Sequence, residues 1–373
     1  MKKQLFLSAA LLLSASAAMA QSGTFSLKGN FKDFGDTIVV YKGRGEKRDT
    51  LLLKNGKFTY TANLDIPKEY YFMKYVYGGQ AMYGMPLVCV PGEKAEVESA
   101  DGNFTIKGSA FYKQYSVVDG VKSDADKEIS DCKKEFYAKS DDKTVNSDSL
   151  EKVYDEKLAV LQKAKEEKLM AYITQHPDDE AATILIPEFE DWKQMQKAAD
   201  LFSETVKNGR MKAYYQPIID RAKKRAEMEE KAKKVQASGV EAADFTLKDI
   251  NGKDLSLSSL RGKYVILDFW GSWCIWCIKG MPKMKEYYEK YKGKFEILGV
   301  DCNDTETKWK AAIEKHQLPW LHVYNPKTSD VLNKYAIQGF PTKIIVGPDG
   351  KIVKTIVGED PAFYTFLDET FGK

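Results

Sequence analysis

The sequence predicts an α/β domain at the C-terminal end, a helical region before it, and an antiparallel β domain of sandwich type at the front. Three observations carry this reading. Apolar residues alternate in short runs up to about residue 107. They then recur at helical spacing in a stretch rich in Lys, Glu, Asp and Ala. From Asp244 onward, continuous apolar runs alternate with helical ones. Period two marks half-buried strands, a spacing of three to four marks helices, and continuous runs mark strands covered on both faces.

The β domain is expected over 21–110. Phe25-Ser26-Leu27-Lys28-Gly29 alternates, and Thr37-Ile38-Val39-Val40-Tyr41 does so less cleanly. Asn55-Gly56 separates runs at 50–53 and 57–61 and predicts a hairpin. Further strands are expected at 69–77, 85–90, 94–98 and 104–107. The aromatic and Met-rich stretch 70–85 reads as sandwich core on one face, with a partner surface as the alternative. The helical region is expected over 111–237. Leu150, Val153, Tyr154, Leu158, Leu161 and Leu169 mark one long helix, broken at His176-Pro177-Asp178-Asp179. One helix is expected from about residue 180 and a last one over 211–237, with solvated charged faces.

The third region is expected over 238–373. Phe245-Thr246-Leu247 leads to a turn at Asn251-Gly252. Tyr264-Val265-Ile266-Leu267-Asp268-Phe269 reads as a buried strand, 274–290 as a helix and Phe295-Glu296-Ile297-Leu298-Gly299-Val300 as the next strand. Strand, helix and strand make a unit with a parallel pair. A helix at 307–316, a short strand at 320–323, a hairpin around Pro348-Asp349-Gly350 and a final helix at 361–371 complete the pattern.

The 373 residues suffice for two or three domains. The net charge is only +3, and no basic run stands apart from acidic residues, so nucleic acid is not an expected partner. Residues 1–20 read as an export signal. Lys2 and Lys3 precede an apolar run, and Ala18-Met19-Ala20 is a small-x-small cleavage site, with cleavage expected after Ala20. The apolar run is short for a membrane span. Gln21 follows the site, so no cysteine is placed for lipid attachment. The expectation is a soluble periplasmic protein.

Five cysteines are present: Cys89, Cys132, Cys274, Cys277 and Cys302. Export places them where disulfides persist. A pair between Cys89 and Cys132 is left open. Cys274 and Cys277 stand two residues apart. Zinc would need two further ligands, but His176, His316 and His322 are scattered, so no metal is expected. A disulfide closing so short a loop is a weak staple. The redox reading has a mechanism. Cys274 lies where a buried strand turns into a helix, and the helix N-terminus lowers its thiol pKa. It would attack a disulfide, and Cys277 would resolve the mixed disulfide. Cys302, at the end of a buried strand, reads as structural, with a third redox thiol as the alternative.

The run from Val265 to Cys274 resembles the active-site approach of the thioredoxin superfamily. Pro282 resembles that family's kink proline, Gly339-Phe340-Pro341-Thr342 its cis-proline loop, and Gly358 a glycine of its last strand. Asp244-Phe245-Thr246-Leu247 with Asn251-Gly252, and the inserted segment 307–323, resemble the TlpA/ResA branch of exported thiol–disulfide oxidoreductases. This resemblance covers about 240–371. The regions ahead resemble secreted Bacteroidetes oxidoreductases in layout alone.

The resemblance implies a thioredoxin-like domain that needs no cofactor. It would reduce disulfide-bonded proteins and be recharged by a membrane or periplasmic dithiol. Asp268, a carboxylate inside an apolar strand, would handle the proton of the second cysteine. A cis bond before Pro341 would free the Phe340 backbone to pair with substrate. Trp273 matches a family residue. Trp276 departs from the family's usual proline, which leaves the reduction potential open; its indole reads equally as a substrate contact or as core. Disulfide oxidase or isomerase is the alternative within the same chemistry. A peroxidase of the peroxiredoxin kind would need Thr where Gly271 stands. A binding protein acting through its N-terminal region is the remaining alternative. Substrate selection or dimer contacts are expected of the front regions.

Overall fold

A computed structural model describes residues 22–43, 45–74, 83–100, 102–140 and 147–372. The expected export signal and residues 75–82 of the aromatic stretch lie outside the described residues. The chain divides into two compact units, Met1–Lys223 and Lys224–Lys373. Among the described residues, no helix is long and apolar enough to cross a membrane.

Among the described residues, the first unit begins with eight strands: β1 (Gly23–Phe31), β2 (Thr37–Tyr41), β3 (Asp49–Leu52), β4 (Lys57–Leu64), β5 (Lys68–Lys74), β6 (Gly84–Cys89), β7 (Lys94–Ala100) and β8 (Asn103–Gly108). They form two four-stranded sheets, in the orders β4-β1-β7-β8 and β3-β2-β5-β6. Rings from the two sheets meet in the core, as Tyr60 of β4 meets Phe72 of β5 at 5.5 Å. Tyr70, Phe72 and Met85 are buried there while Tyr71 and Tyr83 are exposed, so the described part of the aromatic stretch is core on one face.

Two details differ from the sequence reading. β1 and β7 pair in parallel within otherwise antiparallel sheets. The Asn55-Gly56 turn forms, with φ of 52° and 76° as a type I′ turn requires, but it does not close a hairpin. One bridge, Lys54 to Lys57, spans it. The chain then crosses between sheets: Thr50 pairs with Val39 on β2, and Lys57 with Asn30 on β1. The short, half-exposed β3 offers little ladder, whereas β1 pairs with β4 along nearly its whole length.

Among the described residues, five α-helices follow: α1 (Ala110–Ser140), α2 (Ser147–Gln175), α3 (Trp192–Asp200), α4 (Glu204–Lys207) and α5 (Lys212–Val235). The single helix expected from residue 180 is instead a 3₁₀ turn, Glu180–Glu188, followed by α3 and α4. Pro187 lacks the N–H a continuing helix needs, and Asp191 starts α3 anew by accepting from the Lys193 N–H. The buried faces of these helices share one core with the sheets. Tyr112 of α1 is fully buried, and its hydroxyl donates to the Val88 carbonyl at 2.8 Å.

The second unit contains β9 (Thr246–Asp249), β10 (Asp254–Ser256), β11 (Tyr264–Trp270), α6 (Ile275–Lys290), β12 (Phe295–Asp301), α7 (Glu306–His316), β13 (Leu321–Tyr324), α8 (Val331–Lys334), β14 (Thr342–Val346), β15 (Ile352–Val357) and α9 (Ala362–Phe371). The sheet order is β10-β9-β13-β12-β11-β14-β15. β11, β12 and β13 are mutually parallel, and the remaining pairs are antiparallel. This is the thioredoxin-like α/β domain. Alternation along β11 feeds two cores. Ile266 and Trp270 pack with Met281 and Met284 of α6 and with Phe363 and Leu367 of α9. Leu267 and Phe269 pack with Leu298, Val300 and Ile344 on the other face. Each such buried side chain contributes about 1.5–3 kcal/mol over its exposed state. The two covers explain why β11 is apolar on both faces, with Asp268 the exception.

Candidate active site

The end of β11 and the start of α6 fix the two cysteines. Trp270 ends the strand, and the Cys274 N–H closes a turn onto the Gly271 carbonyl at 3.0 Å. Cys274 caps α6, accepting at its Sγ the Cys277 N–H at 3.1 Å. The two sulfurs form a disulfide, with Cα atoms 5.3 Å apart. Both residues are almost wholly buried. In the dithiol form, that N–H and the positive end of α6 would face the Cys274 sulfur and favour thiolate.

Asp304 anchors the approach loop, accepting from the Ser272 N–H and hydroxyl, both at 2.6 Å. The Trp273 indole donates to the Cys302 carbonyl at 2.9 Å. Gly271 makes room for this bond, because a Cβ there would lie 2.5 Å from the Trp273 Nε1 and 2.7 Å from the Cys302 carbonyl oxygen. A threonine is excluded at that position for the same reason. Phe340 meets the Trp273 ring edge to face at 5.3 Å, and the Phe340–Pro341 bond is cis. Ile275 and Trp276 stand out in solvent, 63% and 59% exposed, so Trp276 is not core. The Lys279 ammonium sits over its ring at 4.6 Å.

Asp268 lies on the α6-facing side of β11, between Ile266 and Trp270, which pack in the same cluster as both cysteines. Its Oδ1 has no hydrogen-bond partner. Burial pushes its carboxyl up to about 6; Lys343 pulls it down and Glu359 pushes it further up. Lys343 and Glu359 are polar groups that sequence reasoning missed. The signal was present, since Lys343 interrupts an apolar strand as Asp268 does.

Cys302 is fully buried in the core opposite α6, and burial raises its thiol well above the ordinary range. Cys89 and Cys132 are free buried thiols, so the bond left open between them is not formed. Among the described residues, no cluster of three or more His, Cys, Asp or Glu is arranged to hold a metal ion.

A cysteine pair at a helix N-terminus, opposite a cis-proline loop on a mixed sheet with a parallel centre, defines a thioredoxin-like oxidoreductase. The AhpC/TSA family profile matches residues 238–355. The chain is 39% identical over 122 residues to a thiol-disulfide oxidoreductase ResA of Bacillus cereus, covering 32% of this chain and 70% of that protein. It is 33% identical over 123 residues to ResA of Bacillus subtilis (strain 168), covering 33% and 68%. Among solved structures, it is similar to the thioredoxin domain of a thiol-disulfide oxidoreductase from Bacteroides vulgatus, with 37% identity over 36% of this chain and 98% of that one, at a TM-score of 0.34. The chain belongs to the ResA family of thiol–disulfide oxidoreductases and is an enzyme of that class.

Proposed function

We propose that this enzyme reduces disulfides of exported proteins through Cys274 and Cys277. One observation carries the reading: Cys274 caps α6 with the Cys277 N–H on its sulfur, while Asp268 is buried on β11 between Ile266 and Trp270, which pack with both cysteines. Cys274 thiolate attacks a substrate disulfide, and the first substrate sulfur leaves as thiolate and takes a proton. Cys277 gives its proton to Asp268 and attacks the Cys274 sulfur. The second substrate sulfur leaves with the bonding pair and recovers the proton. One substrate disulfide becomes two thiols, and the enzyme dithiol becomes a disulfide. A base beside the second thiol serves this closing step and its reverse alike, so the direction rests on the potential of the couple.

The exposed faces of Trp273 and Trp276, with Phe340 and Pro341, form the surface that receives substrate. A dithiol donor returns the enzyme to its reduced form. Residues 1–20, read as an export signal, support a periplasmic location. The domains proposed are β-rich 21–110, helical 111–237 and catalytic 238–373, with the front regions serving substrate selection or dimer contacts.

The deciding experiment is the reduction potential of the Cys274–Cys277 couple, equilibrated against glutathione. A value near about −270 mV, as in thioredoxin, supports a reductase; one near about −120 mV, as in a strong oxidant, rejects it.

A further inference from the structure

The sheet register assembles a polar row beneath α6. Asp268 on β11 pairs with Lys343 on β14 and with Gly299 on β12, and Gly299 pairs with His322 on β13. Side chains of paired residues lie on one face of a sheet. Ile345, Ile297 and Trp320 sit two residues from this row and pack in the cluster that α6 covers, so the row faces α6 as well. Lys343 is 1% exposed, an unusual place for an ammonium.

Among the described residues the ammonium has one ion-pair partner, and it also lies over the Phe363 ring at 5.4 Å. Lys343 Nζ lies 2.9 Å from Glu359, just after β15. The Glu359 carboxylate also accepts the Tyr364 hydroxyl of α9 at 2.7 Å. It fills the space over Gly280 of α6, where a Cβ would collide with it. Gly280 follows Cys277 by three residues, so the ion pair lies under the helix that carries the cysteines. One buried cation thus serves two carboxylates. Glu359 holds it by a direct contact, while Asp268 keeps an oxygen without a partner.

We propose that Lys343 and Glu359 are positioning residues for the resolving step: Glu359, fixed by Tyr364 and by the cradle at Gly280, holds Lys343 away from Asp268 and keeps Asp268 able to take up the proton of Cys277. This rests on Asp268 as the proton acceptor of the reaction proposed above. With Lys343 paired to Glu359, the cluster is neutral when Asp268 is protonated and carries one net negative charge when it is not. The opposing pulls of Lys343 and Glu359 on the Asp268 carboxyl agree with this count.

Among the described residues, the other titratable groups packed around Asp268 supply no second buried cation, the Lys283 ammonium being exposed. Tyr364 faces it from α9 with its hydroxyl committed to Glu359. On β12, Asp301 lies two residues from Gly299 on the same face, and burial first, then Asp304, push its carboxyl up to about 8; Cys302 lies on the opposite face, a thiol held protonated by burial. His322, across Gly299, is kept neutral because burial pulls it down to about 3. From α6 come the cysteine pair and Lys283, whose ammonium lies over the Tyr364 ring at 4.1 Å.

The signature is a pair of opposite shifts. Glu359→Gln frees Lys343 to neutralise Asp268, and the carboxyl should titrate lower. Lys343→Gln leaves Glu359 unneutralised beside Asp268, and the carboxyl should titrate higher. The readout is disulfide formation in the reduced full-length chain, followed by tryptophan fluorescence from pH 4 to 9. Hydroxyethyl disulfide is used at concentrations where the rate has reached its plateau, so that resolution limits it.

The midpoint of the acid limb should fall by about one unit in Glu359→Gln and rise by about one unit in Lys343→Gln, the size expected for gain or loss of one nearby charge. Lys343→Arg should restore the wild-type midpoint. Midpoints unmoved, or moved in the same direction, overturn the proposal, provided Asp268→Asn abolishes the limb. A limb that survives Asp268→Asn overturns the underlying role of Asp268 instead. Glu359→Gln keeps the side-chain size, so its shift decides the matter where Lys343→Gln fails to fold.

Discussion

The Trp273 indole donates to the Cys302 carbonyl while its ring meets Phe340 edge to face. The residue before the first active cysteine is therefore tied to the end of β12 and to the loop before Pro341, yet half of it stays exposed. Trp276 is more exposed and meets only the Lys279 ammonium among these groups. Its loss should cost substrate contact without cost to the fold. Trp276→Ala should raise KM for a protein disulfide such as insulin's by about tenfold, equivalent to about 1.4 kcal/mol. Turnover of a small disulfide should stay within about twofold of wild type on the same scale. Equal losses on both substrates would mean that the indole acts on the cysteines themselves.

Cys277→Ser should trap mixed disulfides on Cys274, because the attacking sulfur sits at the N-terminus of α6 and the resolving one lies a turn inside it. Peptide mass spectrometry of the trapped species locates the adduct. An adduct on Cys302, or none, would refute the order of attack.

Asp268 links the site to stability. Its carboxyl titrates at about 6 in the fold, against 3.8 for the ordinary group. The folded state therefore binds more protons than the unfolded chain between these values, and stability falls as pH rises through that window. Above it, burial of the charge costs about 3 kcal/mol. Asp268→Asn should stabilise the oxidised protein at pH 7.5 by up to that amount, and the gain should vanish near pH 4. Urea titrations at the two pH values check this. A variant less stable than wild type at pH 7.5 would contradict it.

The C-terminal fragment should be active alone, but its start matters. Gln236 donates to the Tyr335 carbonyl at 2.6 Å, its own carbonyl accepts the Thr355 hydroxyl at 3.2 Å, and Lys231 donates to Asn333 at 2.7 Å. A fragment from Lys224 keeps these bonds and one from Ser238 loses them. Both should reduce insulin with a chemical dithiol as donor. The shorter one should be less stable by about 1–3 kcal/mol, the scale of a few net hydrogen bonds. Denaturant titration tests the difference, and equal midpoints would show that the end of α5 is dispensable.

Much of the second unit was legible in the sequence because β11, β12 and β14 are apolar runs bounded by turns, and because Cys274 and Cys277 report a strand-to-helix junction. What was missed depends on pairing. Nothing local to Glu359 places it under Gly280; the β14–β15 register and α9 do that. The Asn55-Gly56 turn failed as a hairpin for a related reason. Its dihedral angles are local, but the partner of β4 is β1, more than twenty residues earlier in the chain. Lys343, like Asp268, is a charge inside an apolar strand, but only the strand of Asp268 runs into the cysteine pair; the pairing that sets Lys343 beside Asp268 is not local in the sequence.

The three buried free thiols have a practical consequence. Cys89 and Cys302 lie inside the cores and Cys132 is buried on α1, so the chain's exchangeable electrons reside in one sulfur pair. The oxidised chain holds three thiols and the reduced chain five. A thiol assay in denaturant thus works as a meter of electron load, reading three or five. A lower count identifies protein whose cores were oxidised before they closed.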